Sequence, residues 1–152
     1  MSRAEAWLVH VANLLVVGTG LAYAVVRYLL EPADPFAAVH PAQPAIQHAH
    51  VWTAPLLVFA LGAIWRSHAL ACTRLGVRAR HKSGLALMLG AAPMALSGYF
   101  LQTAVEPAWR TAWIWVHVAT SLLWIAATLA HQLAPRPERS PFDPVEDVPR
   151  GR

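Results

Sequence analysis

Apolar residues along this chain neither alternate nor recur at the period of a surface helix. They form four long blocks, separated by short stretches that hold most of the charge. Crossing a hydrocarbon core of about 30 Å takes roughly 20 apolar residues of helix, and each block is long enough. The pattern predicts an all-α, four-helix transmembrane bundle with spans over about 7–30, 46–65, 84–104 and 111–134. The first block is too long for the core of a signal peptide and no small-residue cleavage site follows it, so it is expected to remain as a span.

The polar stretches set the expected orientation. Between the second and third blocks stand Arg66, Arg74, Arg78, Arg80 and Lys82 with no acid, whereas the first connection carries Glu31 and Asp34 and the last only Glu106 and Arg110. Short Lys/Arg-rich loops stay in the cytoplasm, which puts the middle loop and both termini there, in a bacterial inner membrane. Residues 1–134 then form one membrane domain. The Pro-rich, mixed-charge stretch 135–152 has the composition of a disordered tail. The connection EPADPFAAVHPAQPAIQ is rich in proline and is expected to be turn-like, folding over the mouth of the bundle.

Composition agrees with this reading: 57% of residues are hydrophobic and 13% charged, with a mean hydropathy of +0.41. The net charge of +4 sits where topology requires it, with no aromatic-basic pattern of the kind that binds nucleic acid. The single cysteine, Cys72, falls in the expected cytoplasmic loop and permits neither a disulfide nor covalent c-type heme. Trp52, Trp65, Trp109, Trp113 and Trp115 lie near block ends, as aromatic rings at headgroup level do. Pro55 and Pro93 lie inside spans, where each removes a helical hydrogen bond.

Histidine is the informative residue type. Eight histidines is many for so apolar a chain, and polar groups at membrane depth need partners. His117 and His131 are fourteen residues apart on the fourth helix, within roughly 40° of one face and about 21 Å apart. One helix can therefore ligate two cofactors stacked through the membrane. His50 enters the second helix to a depth similar to His117 and is its natural partner; His48, about 200° around, faces away. At the cytoplasmic side His131 can be met by His10 or by His68. His10, inside a span, is the preferred partner and His68 the alternative: it shares a face with His50, but its separation of about 27 Å exceeds that of the His117/His131 pair by about 6 Å. His40 and His81 are expected in solvated loops.

An imidazole that binds heme iron through one nitrogen donates through the other to a carbonyl or hydroxyl, for which Ser67, Thr120 and Ser121 are of suitable type. Gly18, Gly20, Gly62, Gly90 and Gly98 allow close approach. Arg27 and Arg110 suit the propionates of an outer heme and Arg66 those of an inner one. The pattern resembles the four-helix cytochrome b subunits of membrane-bound formate dehydrogenases and nickel-iron hydrogenases, within the cytochrome b561-like group. It is carried by HVATSLLWIAATLAH (His117, His131), QHAHVW (His50), AWLVHV (His10) and the steps Thr19-Gly20 and Ser97-Gly98. The resemblance implies two b-type hemes, an outer one on His50 and His117 and an inner one on His131 and His10, with His68 remaining the alternative to His10. It also implies electron transfer between a quinone pool and a redox partner, either a catalytic subunit or a cytochrome c.

Quinone contacts are expected near the inner heme at Arg66, His68 and Gln132, with Asn13 deeper. No hydrolase-like triad, zinc-protease motif or phosphate loop occurs in the spans, so the redox chemistry is the cofactor's. Two other readings fit a histidine-bearing bundle. One is a metal or proton transporter, which ordinarily also places acids at membrane depth; the other is a heme-free anchor or assembly subunit.

Overall fold

A computed structural model of the chain describes residues 2–32, 34, 36–74 and 80–134. Four helices in it are long and apolar enough to cross a membrane: α1 (Arg3–Tyr28), α2 (Gln43–Arg74), α3 (His81–Thr103) and α4 (Pro107–Leu133). Each start has a chemical reason. Ser2 and Glu5 form a capping box at α1, the Ser2 hydroxyl accepting from the Glu5 amide and the Glu5 carboxylate accepting from the Ser2 amide, which satisfies two otherwise orphaned donors. Pro44 and Pro107 occupy the first turns of α2 and α4, where a missing N–H costs nothing. Glu106 caps α4 by accepting from the amides of Ala108 and Trp109.

The spans predicted from the apolar blocks are all present, with one large difference at an end. The second helix does not stop near residue 65: it passes through a π-helical turn at Trp65–Leu70 and resumes as Ala71–Arg74. Arg66, Ser67 and Arg74 read as loop residues by polarity, yet the helix end projects beyond the hydrocarbon, where long cationic chains can reach water. Cys72 is accordingly on this helix and not in a loop. The expected tail, 135–152, and Arg78 lie outside the described residues.

α1 packs along α2 and α3 along α4, while the two hairpins touch each other only sparsely. One buried cluster lies where they meet: Ala12, Leu57, Ala60 and Trp124. Most large apolar side chains face outward, with Trp52 80% and Leu14 72% exposed, the arrangement expected where the surrounding solvent is hydrocarbon. The first connection forms turns, with the Phe36 amide donating to the Asp34 carboxylate and the Gln43 amide to the His40 carbonyl.

Candidate functional site

Two histidine pairs bridge the gap between hairpins. His50 on α2 faces His117 on α4 with ring centroids 6.2 Å apart. Toward the end where α2 finishes and α3 begins, His68 faces His131 at 6.5 Å. His10 does not join the second pair; its ring meets the Gln132 side chain at 3.4 Å. The structure thus brings together the outer pair anticipated from sequence and, at the inner level, the alternative partner His68 in place of the preferred His10. The π turn accounts for this: it advances less per residue than an α-helix and carries His68 on its wider coil, a feature common at functional positions. The length mismatch that counted against His68 assumed an uninterrupted α-helix.

Within each hairpin the imidazoles are gripped by a hydroxyl-glycine step on the neighbouring helix. His50 Nδ1 lies 3.2 Å from the Thr19 hydroxyl and 3.1 Å from the Val16 carbonyl. His117 Nδ1 lies 3.1 Å from the Ser97 hydroxyl and His131 Nδ1 3.1 Å from the Ser83 hydroxyl. The adjoining glycines, Gly20, Gly98 and Gly84, are where these rings come to rest: a Cβ there would stand 2.9, 3.1 and 3.5 Å from Cε1 of His50, His117 and His131 respectively.

These contacts fix the tautomers. The hydroxyl protons of Thr19, Ser97 and Ser83 are already directed to carbonyls of their own helices: Leu15 or Val16, Met94 and Arg80. Each oxygen then accepts, so the imidazole donates from Nδ1 and its Nε2 carries the lone pair. Neutral imidazole with an oriented lone pair is a metal ligand. His68 lacks such a grip; its Nδ1 lies 3.6 Å from Cys72 Sγ, one turn along its own helix.

The spacing of the pairs tests the group they could hold. A metal–nitrogen bond of about 2 Å and a ring centre about 1.1 Å behind each nitrogen put two imidazoles on one iron about 6.2 Å apart, close to the observed 6.2 and 6.5 Å. Among the described residues no three of His, Cys, Asp and Glu gather into a metal-sized cluster, so protein ligands alone would leave a cation undercoordinated. Heme, which brings four nitrogens and needs only two axial ligands, fits this donor set. A cavity of about 380 Å³ opens at the inner pair, lined among others by Asn13, His68, Arg80, Trp124, His131 and Gln132.

The remaining predicted contacts divide. Gln132 lines this cavity, whereas Arg66 points outward on the π turn. At the opposite end Arg110 donates to the Leu101 carbonyl and Arg27 lies over the Tyr28 ring. Asn13 also lines the cavity, its side-chain oxygen accepting the Trp124 indole N–H at 2.8 Å. The hydroxyls at the imidazoles are Thr19, Ser97 and Ser83 and not the suggested Ser67, Thr120 and Ser121; Thr120 bonds back to Val116 and His117 of its own helix. Ser83, Gly84 and Arg80 were missed. The signal for the first two was present, because Ser83-Gly84 precedes Ser97-Gly98 by the same fourteen residues that separate His117 from His131. Searches against protein-family models, curated proteins and solved structures return no match to this chain.

Proposed function

We propose that this chain is a membrane-embedded b-type cytochrome of the cytochrome b561-like kind, holding two hemes between its hairpins. His50 and His117 would hold one, and His68 and His131 the other. The observation that carries the reading is the pair of facing imidazoles whose Nδ1 atoms are engaged and whose ring spacings, 6.2 and 6.5 Å, suit one iron each. Bound heme supplies reversible one-electron chemistry at iron.

The residues of this chain do the rest. Thr19, Ser97 and Ser83 hold three imidazoles in the ligating tautomer, and the glycines let the rings lie flat against the neighbouring helix. Trp124, Leu57, Ala60 and Ala12 fill the core between the two levels and exclude water. His10 and Gln132, with Arg80 beside them, form a polar edge to the inner level where a quinone headgroup would exchange protons and electrons. By the distribution of basic residues this level lies at the cytoplasmic face of a bacterial inner membrane, and a redox partner protein docks at one face.

The test is to purify the full chain from heme-sufficient cells in mild detergent, record oxidised and dithionite-reduced spectra, and count heme as pyridine hemochrome. Two b-type hemes per chain are expected. A preparation that stays heme-free after hemin is added rejects the reading and favours a transporter or an anchor, which metal-dependent flux in vesicles separates.

A further inference from the structure

Outside the bundle, α3 and α4 leave a groove of about 850 Å³ between them. Its wall is made largely of small residues, Ala86, Gly90, Ala126 and Ala130 among them, and its mouth holds Arg80, His81 and Lys82. Polar groups in the wall are already satisfied: Ser83 donates to the Arg80 carbonyl and meets His131, and Thr120 bonds to its own helix. Such a wall offers nothing to a polar ligand and much to a hydrocarbon chain.

Length supports the same occupant. From Arg80 at the mouth to Pro93 at the far lining the helix advances about 20 Å, against about 15 Å for half the hydrocarbon core. The groove therefore reaches from a membrane surface to beyond the midplane, the depth of one leaflet. At the mouth the Arg80 guanidinium is fixed by neutral partners, the carbonyls of Ala134 and Gln132, so among the described residues its charge is positioned without being cancelled. Lys82 beside it is exposed.

We infer that this groove is a binding site for an anionic phospholipid, with an acyl chain along the small-residue wall and the phosphodiester between Arg80 and Lys82. Basic pockets between membrane helices select anionic headgroups in this way. The groove shares Arg80 and Trp124 with the cavity at His68 and His131 but is lined by neither histidine.

Native mass spectrometry of the detergent-purified full chain, titrated with phosphatidylglycerol, phosphatidylcholine or soluble glycerol phosphate, tests this. One phosphatidylglycerol should be retained per chain under conditions that strip phosphatidylcholine, and glycerol phosphate should not displace it. Lys82→Gln should lower retention at least fivefold. Ala130→Phe, a change at an exposed position that fills the groove, should abolish it while the thermal melt stays within a few degrees of the parent. Equal retention of both lipids, or a preference unaltered in both variants, overturns the proposal. So does displacement by glycerol phosphate alone, which would mean a headgroup site without a chain site, or retention that emerges only when residues 135–152 are deleted, which would give the groove to the chain's own C-terminus.

Discussion

The Trp124 indole N–H donates to the Asn13 side-chain oxygen at 2.8 Å, joining the two hairpins at the level midway between the histidine pairs. Trp124 stands seven residues from both His117 and His131 and is 5% exposed. Trp124→Phe removes one hydrogen bond inside the membrane domain and should cost about 1–2 kcal/mol. Trp124→Ala also opens a cavity and should cost about 3–5 kcal/mol. Unfolding in mixed micelles measures both, and equal losses would show that the indole contributes only its N–H.

Ligand assignment separates cleanly by variant. His50→Ala or His117→Ala should lose one heme, and His68→Ala or His131→Ala the other, as counted by hemochrome. His10→Ala should keep both. Loss of a heme in His10→Ala with retention in His68→Ala would reverse the inner assignment.

Glycine variants should rank by the room each position has. A methyl at Gly20 or Gly98 would meet an imidazole at 2.9 or 3.1 Å, so the ring must shift, and Gly20→Ala and Gly98→Ala should weaken heme retention at the His50/His117 level. Gly84→Ala, with 3.5 Å available, should be tolerated. Nothing lies within 4 Å at Gly18 or Gly62, and alanine there should be neutral or stabilising by up to about 1 kcal/mol. Reduced spectra and thermal melts of the five variants check the order.

Ser97→Ala should leave heme content near that of the parent but deprive His117 Nδ1 of its acceptor. Less electron density on the ligand favours ferrous iron, so the potential of that heme should rise, on the order of tens of millivolts, with the other unmoved. Ser83→Ala should do the same for the second heme. A potentiometric titration in which both hemes move together in either variant would contradict local tuning.

The two backbone amides that donate to Glu106 hold its carboxyl below the ordinary carboxylate range. With the folded value lowered, the cap's contribution is fully present above the unfolded value of about 4.3 and is lost as pH falls through the lower folded one. Amide exchange at Ala108 and Trp109 should therefore be unchanged between pH 7 and 5 beyond its intrinsic pH dependence. Glu106→Ala should speed it at either pH.

How much of this was legible in the sequence follows from what each signal measures. Four spans could be read because a bilayer demands an apolar length, and His50 with His117 because depth in two such spans is countable. The π turn could not be read, since one extra residue per turn leaves no mark on hydropathy, and Arg66-Ser67-His68 looks like an exit from the membrane. That single irregularity decides which residue faces His131. The Ser83-Gly84 step was legible in principle as a repeat of Ser97-Gly98, but it lies at the start of a span, where a small polar pair reads as a cap. Trp124 carried no signal, because an indole in mid-span becomes meaningful only once Asn13 is known to stand opposite.

Because each hairpin is closely packed within itself and meets the other sparsely, biogenesis can proceed in two insertions followed by a docking. The halves can enter the bilayer one after the other as translation delivers them, with His50, His117 and His131 already held within their own halves. The Trp124–Asn13 bond and the cluster around it join them, and the hemes proposed above would add a second clasp: in cells starved of heme the loosened halves would expose the Asn13 amide and the histidine edges to lipid, a signature that membrane proteases can act on. Cellular abundance of this protein would in that case follow heme availability without any transcriptional control, and two half-length chains, 1–74 and 80–152, coexpressed with adequate heme should reassemble.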